Sequence, residues 1–261
     1  MKKNRLVFYA VLMAVLVSFF VTPHLLKDFI LQSAIQEIER REGVKVSYGK
    51  STLNLFFTGI EINSVELFNP TWSTSRSIVD IGTVKLEWGI LSVINDSEVS
   101  LLSISSPHVN FEIDKSGGNN FTFNTYGDDE EKQKSFTFDL LEVDDAKFNY
   151  LDKQNDLAAN INVDSFFMKM DSSKNGFIKG VFNVARLKKN KKVLYRNRSI
   201  EFKGNVFRKG SDIKLRELDL VFDGNEIQLT KSKKGFVFEG VSLHPLAMFR
   251  LLPDEQSVDI N

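Results

Sequence analysis

The amino-acid sequence predicts a mainly β protein held at a membrane by an N-terminal transmembrane helix, and three observations support this fold class. A largely apolar run without charged residues occupies residues 6–26. From Val44 onward, apolar and polar residues alternate in many short runs, which is typical of strands with one dry and one wet face. Helical spacing is confined to residues 27–43 and a short segment at 245–252. The resulting prediction is an anchor, a linker helix and a long antiparallel β-sheet.

The N-terminal run has the length and flanks of a membrane anchor. Lys2, Lys3 and Arg5 precede residues 6–26, and about 20 apolar residues suffice to cross a hydrocarbon core of roughly 30 Å. A cleaved signal peptide is the competing interpretation, but no small-residue cleavage site follows the run. Positive charges on the short side predict a cytoplasmic N-terminus, so residues 1–26 form the cytoplasmic tip and single-pass anchor. In a bacterium with two membranes, the rest of the chain would be periplasmic.

The segment after the anchor predicts an amphipathic linker helix over residues 27–43. Its apolar residues recur at helical spacing, and Gly43 is well placed to end the helix. The remaining residues, 44–261, are predicted to form one periplasmic β domain.

Alternation predicts about fifteen strands in this domain. The clearest runs are Leu53/Leu55/Phe57, Ile60/Ile62, Val84/Leu86/Trp88, Val109/Phe111/Ile113, Phe136/Phe138/Leu140, Phe148/Tyr150, Ile161/Val163, Phe182/Val184, Ile200/Phe202, Leu218/Leu220/Phe222 and Phe236/Phe238. A sheet with one apolar face must cover that face with a helix, a second sheet or a ligand. With so few helices, a closed sandwich and a curled trough filled by ligand both fit the pattern.

The amino-acid composition restricts the kinds of chemistry that the chain can perform. The chain of 261 residues holds 23 Phe, which offer apolar area without a polar group, and no cysteine, which excludes disulfides and thiolate sites. The formal net charge of zero is unevenly spread. Residues 27–173 carry 13 Lys/Arg and 24 Asp/Glu, and residues 174–250 carry 18 and 7. Two oppositely charged parts of one sheet could attract each other or a polarised partner.

Two loop segments resemble ligand sites only superficially. Residues 114–120, DKSGGNN, lack the Gly-Lys-Ser/Thr of a P-loop and the carboxylate spacing of a calcium loop, so a hairpin turn between two strands is favoured. The acidic run Asp128–Glu131 has no apolar flank to shape a metal cage, which favours a solvated loop. No metal site or cofactor is predicted.

The basic run and the candidate catalytic groups also have simpler explanations. Residues 186–198, RLKKNKKVLYRNR, could contact anionic head groups or nucleic acid, but a solvated hairpin tip is favoured. Ser47 and Lys50 match S-x-x-K in strand-like surroundings, whereas that chemistry needs a helix. The three histidines, His24, His108 and His244, lie near no recognisable nucleophile in the sequence. No catalytic residue is therefore predicted, and the chain is not expected to be an enzyme.

The order of several loose motifs resembles the AsmA family of bacterial membrane-anchored periplasmic proteins. After the anchor come residues 43–46 (GVKV), 60–70 (IEINSVELFNP) and 84–91 (VKLEWGIL). A proline–strand–aspartate–glycine–asparagine–aromatic pattern follows at 107–121, and an acidic turn within strands ending in Tyr and Asp at 143–152. The resemblance covers residues 1 to about 165 and weakens afterwards. Phe121 stands where the family commonly has Trp, and the chain is shorter than most members.

This resemblance implies a long, curled antiparallel sheet with a hydrophobic groove that binds phospholipid acyl chains in lipid transport or outer-membrane biogenesis. The expected partners are phospholipid, the inner membrane and another periplasmic or outer-membrane protein, and nucleic acid is not expected. The candidate groove residues share apolar side chains on the predicted dry face. They are Leu55, Phe57, Ile62, Leu86, Trp88, Val109, Phe111, Ile113, Phe121, Phe123, Phe138 and Phe148. The alternative is an anchored, non-enzymatic scaffold or assembly factor with a closed β-sandwich core.

Overall fold

The computed structural model describes most of the predicted β domain and the linker helix. The described residues are 27–29, 31–40, 43–54, 58–88, 98–121, 137–171, 173–209, 212–232 and 235–242. The predicted membrane span, the acidic run Asp128–Glu131 and the short helical segment at 245–252 lie outside them. In the part of the chain that the structure describes, no helix is long and apolar enough to cross a lipid bilayer.

Twelve strands form one sheet that does not close on itself. Their bounds are β1 Val46–Ser47, β2 Ser51–Leu53, β3 Gly59–Phe68, β4 Ser77–Trp88, β5 Glu98–Ile113, β6 Thr137–Asp152, β7 Leu157–Met170, β8 Asn175–Lys189, β9 Lys192–Lys209, β10 Asp212–Phe222, β11 Asn225–Ser232 and β12 Gly235–Ser242. From β3 to β12 the spatial order follows the chain order, and β1 and β2 both pair with the free edge of β3. The described residues thus form a single open sheet and not the closed sandwich of the alternative prediction.

The sheet is mixed, which corrects the prediction of an antiparallel one. β5 and β6 are parallel, whereas all other neighbours are antiparallel. The segment 114–120 does turn the chain back, because Asn119 bridges Ile113 and the Asn120 amide donates to the carbonyl oxygen of Glu112 at 3.1 Å. This return does not begin a strand of the sheet. The next strand, β6, pairs instead with the other edge of β5 and in the same direction, so DKSGGNN is not the hairpin turn predicted.

The helix lies beside the β3 edge. Residues 27–29 and 31–40 are helical, as predicted for 27–43, and Gly43 with a φ of 67° donates its amide to the Glu39 carbonyl at 3.0 Å. This left-handed glycine ends the helix as the sequence indicates. At the other end, the Lys27 ammonium donates to the carbonyl oxygen of Ser51 at 2.9 Å. The helix is therefore tied to β2.

A line of irregular residues crosses β3 to β7 at one level. Ser64, Ser106 and Asp145 each have a φ between 51° and 56°, in the left-handed region that non-glycine residues avoid within strands. Gly82 occupies the same level in β4, and Asp164 in β7. β8 has no counterpart to Asp164, because Val163 and Ser165 pair with the consecutive residues Phe182 and Val181. We call this feature the bulge line.

The bulge line keeps the apolar side chains on one face. In β5 the apolar positions are even before it, at Leu102 and Ile104, and odd after it, at Pro107 and Val109. A strand that continued regularly would turn half of these side chains to the opposite face. One extra residue restores the alternation, as in a β-bulge. Cross-strand pairs such as Val84 with Ile104 and Val79 with Val109 join apolar residues on both sides of the line.

Candidate functional site

The most extensive feature is a continuous apolar face. One row of directly paired residues crosses nine strands: Ile62, Val84, Ile104, Val143, Phe166, Gly180, Phe202, Leu220 and Ile227. The next row crosses the same strands: Ile60, Leu86, Leu102, Leu141, Met168, Ile178, Gly204, Leu218 and Leu229. Directly opposed residues share one face of a sheet. These rows and the apolar residues beyond the bulge line constitute what we call the apolar face.

This face is not covered by a second layer of described residues. The residues of both rows are half-buried, apart from the buried Gly180 and Met168. Each strand makes its extensive contacts with its hydrogen-bonded neighbours only. Contiguous exposed apolar patches beyond a few hundred Å² are rare on soluble monomers and mark interaction surfaces. Its extent makes the apolar face the candidate binding surface of the described residues.

Aromatic packing closes gaps within the face. Phe202 lies between Phe166 and Phe182, with ring centroids 6.1 Å and 6.0 Å away. It rests on Gly180, where an added Cβ would lie 2.7 Å from the Phe202 ring and 2.6 Å from the Ser165 carbonyl oxygen. Glycine is required there because the neighbouring ring occupies the space of a side chain. The face is consequently smooth and aromatic at its centre.

At one end of the apolar face, the side chains are buried in a packed cluster. Met168, Met170 and Val206 are 4–6% exposed and form a cluster with partly buried apolar neighbours. Arg208, two residues after Val206 in β9, donates from Nη2 to the carbonyl oxygen of Phe138 at 3.0 Å, although β7 and β8 separate their strands. The sheet must curve toward its apolar side for this contact to form. We call this the methionine end.

The opposite end of β5 is held by a buried polar cluster, which defines the asparagine end. Glu112 is 2% exposed, and its Oε2 accepts from Ser73 Oγ at 2.7 Å and from Thr74 N at 2.8 Å. Its Oε1 forms an ion pair with Lys153. Burial raises the pKa of Glu112, but the ion pair and these hydrogen bonds outweigh burial and lower it to about 2. The carboxylate stays charged and ties the β3–β4 loop to the β6–β7 turn.

Asn120, the last residue of the DKSGGNN segment, completes this cluster. Its Oδ1 accepts from the Glu112 amide at 2.8 Å, and its Nδ2 donates to Asn69 Oδ1 at 2.7 Å and to the Asn110 carbonyl at 2.8 Å. Asn120 bonds to β5 just beyond Ser77, where β4 begins, and so satisfies backbone groups that β4 cannot reach. Asp114 closes the turn by accepting from the Ser116 and Gly118 amides at 2.7 Å and 2.9 Å.

The face opposite the apolar face, called the polar face, carries a hollow of about 590 Å³. Its lining mixes both charges with apolar groups. Lys179 Nζ lies 5.1 Å from the centre of the Phe167 ring, and Lys203 pairs with Asp219 at 3.7 Å. Four carboxylates and two ammonium groups line the hollow, so its net charge is negative. Among the described residues, however, its carboxylates form no group of three that could hold a metal ion.

The described groove candidates lie in strands of the sheet, except Phe121, which lies in the turn after β5, and they do not all form one site. Ile62, Leu86 and Trp88 follow the alternation of the apolar face near the β3 edge, and Val109 and Phe148 are direct neighbours in β5 and β6. Phe111 and Phe121 meet edge to face with centroids 5.0 Å apart at the asparagine end, next to Ile113. Phe138 packs against the methionine cluster. Leu55, Phe57 and Phe123 lie outside the described residues.

The catalytic and metal possibilities gain no support. Ser47 ends β1 and Lys50 precedes β2, so no helix aligns them as the S-x-x-K chemistry requires. His108 Nε2 contacts the side-chain amide of Asn149 at 2.5 Å, in a polar ladder that continues from Asn149 to Asn160. Among the described residues, no three His, Asp or Glu side chains are grouped to hold a metal ion.

Sequence reasoning missed Glu112, Asn120, Arg208 and the bulge line. A signal for the bulge line was present, because a polar pair interrupts the alternation in four of the five affected strands, the exception being β4 with Gly82. The pairs are Asn63-Ser64, Ser105-Ser106, Asp144-Asp145 and Asp164-Ser165. Comparison of the chain with family models and with the sequences of curated proteins finds no match.

Proposed function

We propose that this chain is an inner-membrane-anchored periplasmic protein of AsmA type that binds phospholipid acyl chains on its apolar face. It contributes in this way to lipid transport or outer-membrane biogenesis, with no chemical step. The single observation that carries the proposal is a nine-strand apolar face that no second layer of described residues covers. The predicted anchor in residues 6–26 is the basis of the proposed location.

The energetics favour acyl chains as occupants. Burying a methylene group contributes about 0.8 kcal/mol, so a hydrocarbon chain lying on such a face is bound through its length without any polar recognition. The sheet suits this role because its row of Val, Ile, Leu and Phe presents only apolar atoms between the polar edges of the strands. Eleven strands at about 4.8 Å spacing extend for roughly 50 Å, enough for several chains side by side. Delivery to another membrane would fall to a periplasmic or outer-membrane partner.

Site-specific photo-crosslinking tests the proposal. Phe148→p-benzoylphenylalanine places a photoreactive group on the apolar face, and Lys147→p-benzoylphenylalanine places the same group on the polar face of the same strand. The full chain is expressed in cells whose phospholipids carry ³²P, irradiated and purified under denaturing conditions. We expect labelled lipid on the Phe148 variant at least fivefold above the Lys147 variant. Equal labelling, or none in either variant, would rule out the apolar face as the lipid-binding surface.

A further inference from the structure

A hollow of about 540 Å³ lies where the helix meets the β3 edge of the sheet. Its polar lining comes from both elements. These residues are Lys27, Asp28 and Gln32 of the helix, Tyr48 and Lys50 between β1 and β2, and Ser51 of β2. Lys27 directly follows the predicted membrane span, residues 6–26. We call this feature the anchor hollow, because it lies where the predicted anchor would join the sheet.

The first described turn of the helix lies on the apolar side of the sheet. Ser51 is directly opposed to Ile62 of the apolar face, so the two side chains share that face. Ser51 Oγ donates to Asp28 Oδ1 at 2.9 Å and accepts from Lys27 Nζ at 3.0 Å. These contacts place the anchor hollow at the β2 end of the transverse row that continues from Ile62 to Val84.

Lys27 and Asp28 compensate each other within the hollow. The Lys27 ammonium donates to Asp28 Oδ1 at 2.7 Å, to the Ser51 carbonyl oxygen at 2.9 Å and to Ser51 Oγ at 3.0 Å. An ammonium group carries three hydrogens, so these bonds use all of them. Lys27 therefore has no hydrogen left for a ligand, and the charge of Asp28 is paired.

Three other polar side chains of the anchor hollow are available to a ligand. Gln32, Tyr48 and Lys50 line it, and in the part of the chain that the structure describes their side chains make no hydrogen bond or ion pair. Amide, phenol and ammonium groups can all donate hydrogen bonds. Two ammonium groups and one carboxylate line the hollow, so its net charge is +1. The hollow therefore suits an anion that accepts hydrogen bonds.

The backbone that carries Lys50 is held against β3 at the bulge line. The Gly49 amide donates to the Asn63 carbonyl at 2.8 Å, and the Asn63 amide donates to the Lys50 carbonyl at 2.9 Å. A Cβ at Gly49 would lie 3.0 Å from the Asn63 carbonyl oxygen and 3.3 Å from Ser64 Cβ, so this close approach favours glycine. The Lys50 side chain is thus attached to a backbone that is positioned before a ligand binds, which lowers the cost of binding.

We propose that the anchor hollow binds the phosphate of a membrane phospholipid, whose acyl chain lies across the apolar face from Ile62 over Val84 to Ile104. This inference rests on the proposed function and names where the lipid enters the face and in which orientation. An ammonium group binds phosphate through charge-assisted hydrogen bonds, which are stronger than neutral ones. The dimensions agree, because β2 and β5 are three strand spacings apart, about 14 Å, and an acyl chain spans about half of a hydrocarbon core of roughly 30 Å.

Crosslinking from the apolar face tests this orientation. The full chain carrying Val84→p-benzoylphenylalanine is purified in a neutral detergent and offered radiolabelled phosphatidylglycerol or diacylglycerol with identical acyl chains. The measured quantity is the ratio of phosphatidylglycerol to diacylglycerol crosslinks at residue 84. K50E reverses the charge at this position of the hollow, and K50R keeps it. The matched control is K45E, because Lys45 is exposed just before β1 and does not line the hollow.

We expect K50E to lower this ratio about tenfold, since the loss of one hydrogen bond to a charged group weakens binding by about that factor. K50R and K45E should retain the ratio of the parent chain. An unchanged ratio in K50E, or an equal loss in K45E, would overturn the inference, because the hollow would then make no specific contact with the phosphate.

Two further comparisons separate the possible reasons for failure. An equal concentration of inorganic phosphate should not compete with phosphatidylglycerol, since it lacks an acyl chain to lie on the apolar face. If it abolishes the crosslink, the hollow serves a soluble phosphate and the inference is wrong. If no lipid crosslinks at residue 84 while the Phe148 variant is labelled in cells, the inference fails and the proposed function stands. If neither variant is labelled, both fail.

Discussion

At the scale of single residues, Glu112 is the buried carboxylate that joins separate segments at the asparagine end. It links a loop, a strand and a turn through one charged group at 2% exposure. A buried charge is stable only when its partners are complete, and removal of one partner is strongly destabilising. The first prediction follows from its pKa.

Glu112 should make stability depend on pH in acid. Its pKa falls from an ordinary 4.5 to about 2 on folding. Because the folded value is the lower one, the contribution is complete above pH 4.5 and disappears as the pH falls toward 2. The difference corresponds to about 3 kcal/mol. Urea unfolding of the full chain in nonionic detergent, followed by circular dichroism at pH 2 to 7, should show E112Q less stable than wild type at pH 7. The gap should narrow steadily below pH 4.5.

The matched control is E37Q, which removes a helix-surface ion pair with the exposed Arg40. Exposed pairs contribute 0–1 kcal/mol, so E37Q should leave the unfolding free energy almost unchanged at every pH. A constant difference between wild type and E112Q from pH 2 to 7 would contradict the assigned pKa.

The two asparagines of DKSGGNN should differ sharply. N120A leaves the Glu112 amide, the Asn110 carbonyl and Asn69 without their partner in a buried site, which costs about 2–4 kcal/mol in total. N119A removes a 3.2 Å contact to the Phe121 amide at a less buried position and should cost less than N120A. Thermal unfolding of the two variants side by side is the measurement. Similar losses would mean that Asn120 is not the anchor of this turn.

At the scale of elements, the tight β8–β9 turn has a conformation that its sequence does not favour. Asn190 and Lys191 both have positive φ, and asparagine adopts this conformation far more readily than lysine. We expect K191G to raise the unfolding free energy by about 0.5–1 kcal/mol, because glycine relieves the left-handed strain. K192G is the control, since glycine within β9 should lower stability by about 0.5–1 kcal/mol. Destabilisation by K191G in differential scanning calorimetry would contradict the turn geometry.

The existence of the strands could be predicted from the sequence, whereas the pairing of one strand with another could not. Alternation at Val84/Leu86/Trp88 and Phe182/Val184 predicted strands because one face is apolar and the other is wet. The parallel pairing of β5 with β6 was missed because turn residues indicate that the chain reverses direction. They do not indicate which edge of the sheet the next strand joins. Asn120 occupies the β4 side of β5, and this contact is non-local. The polar pairs at the bulge line were interpreted as ordinary solvent-facing positions, because each pair taken by itself is compatible with a regular strand.

At the scale of the whole molecule, apolar residues divide into an open face and a packed end. Isosteric changes of valine to threonine should distinguish the two. V206T places a hydroxyl in the cluster at 4% exposure and should cost about 1–3 kcal/mol. V163T, at a half-buried position of the open face, should cost less than 1 kcal/mol. Urea midpoints of both variants provide the comparison, and equal losses would indicate that the face is covered in the intact protein.

The open face itself was beyond sequence reasoning. Half-buried Ile62 and Val143 follow the same alternation that core residues of a sandwich would follow, so periodicity left both architectures open. Only the contacts between strands distinguish one sheet from two. Likewise, Arg208 in a run of alternating residues gave no sign that it reaches Phe138 across two intervening strands.

The single parallel contact between β5 and β6 also divides the route by which the chain folds. From β6 to β12, each strand pairs with the next one along the chain, and the same holds from β3 to β5. Strands that follow each other along the chain need to close only a short loop, and they therefore pair quickly. The β5–β6 ladder instead joins residues 39 positions apart, such as Val109 and Phe148. We therefore expect two meanders to form early and independently. Their joining along this ladder would be the slow, rate-limiting step.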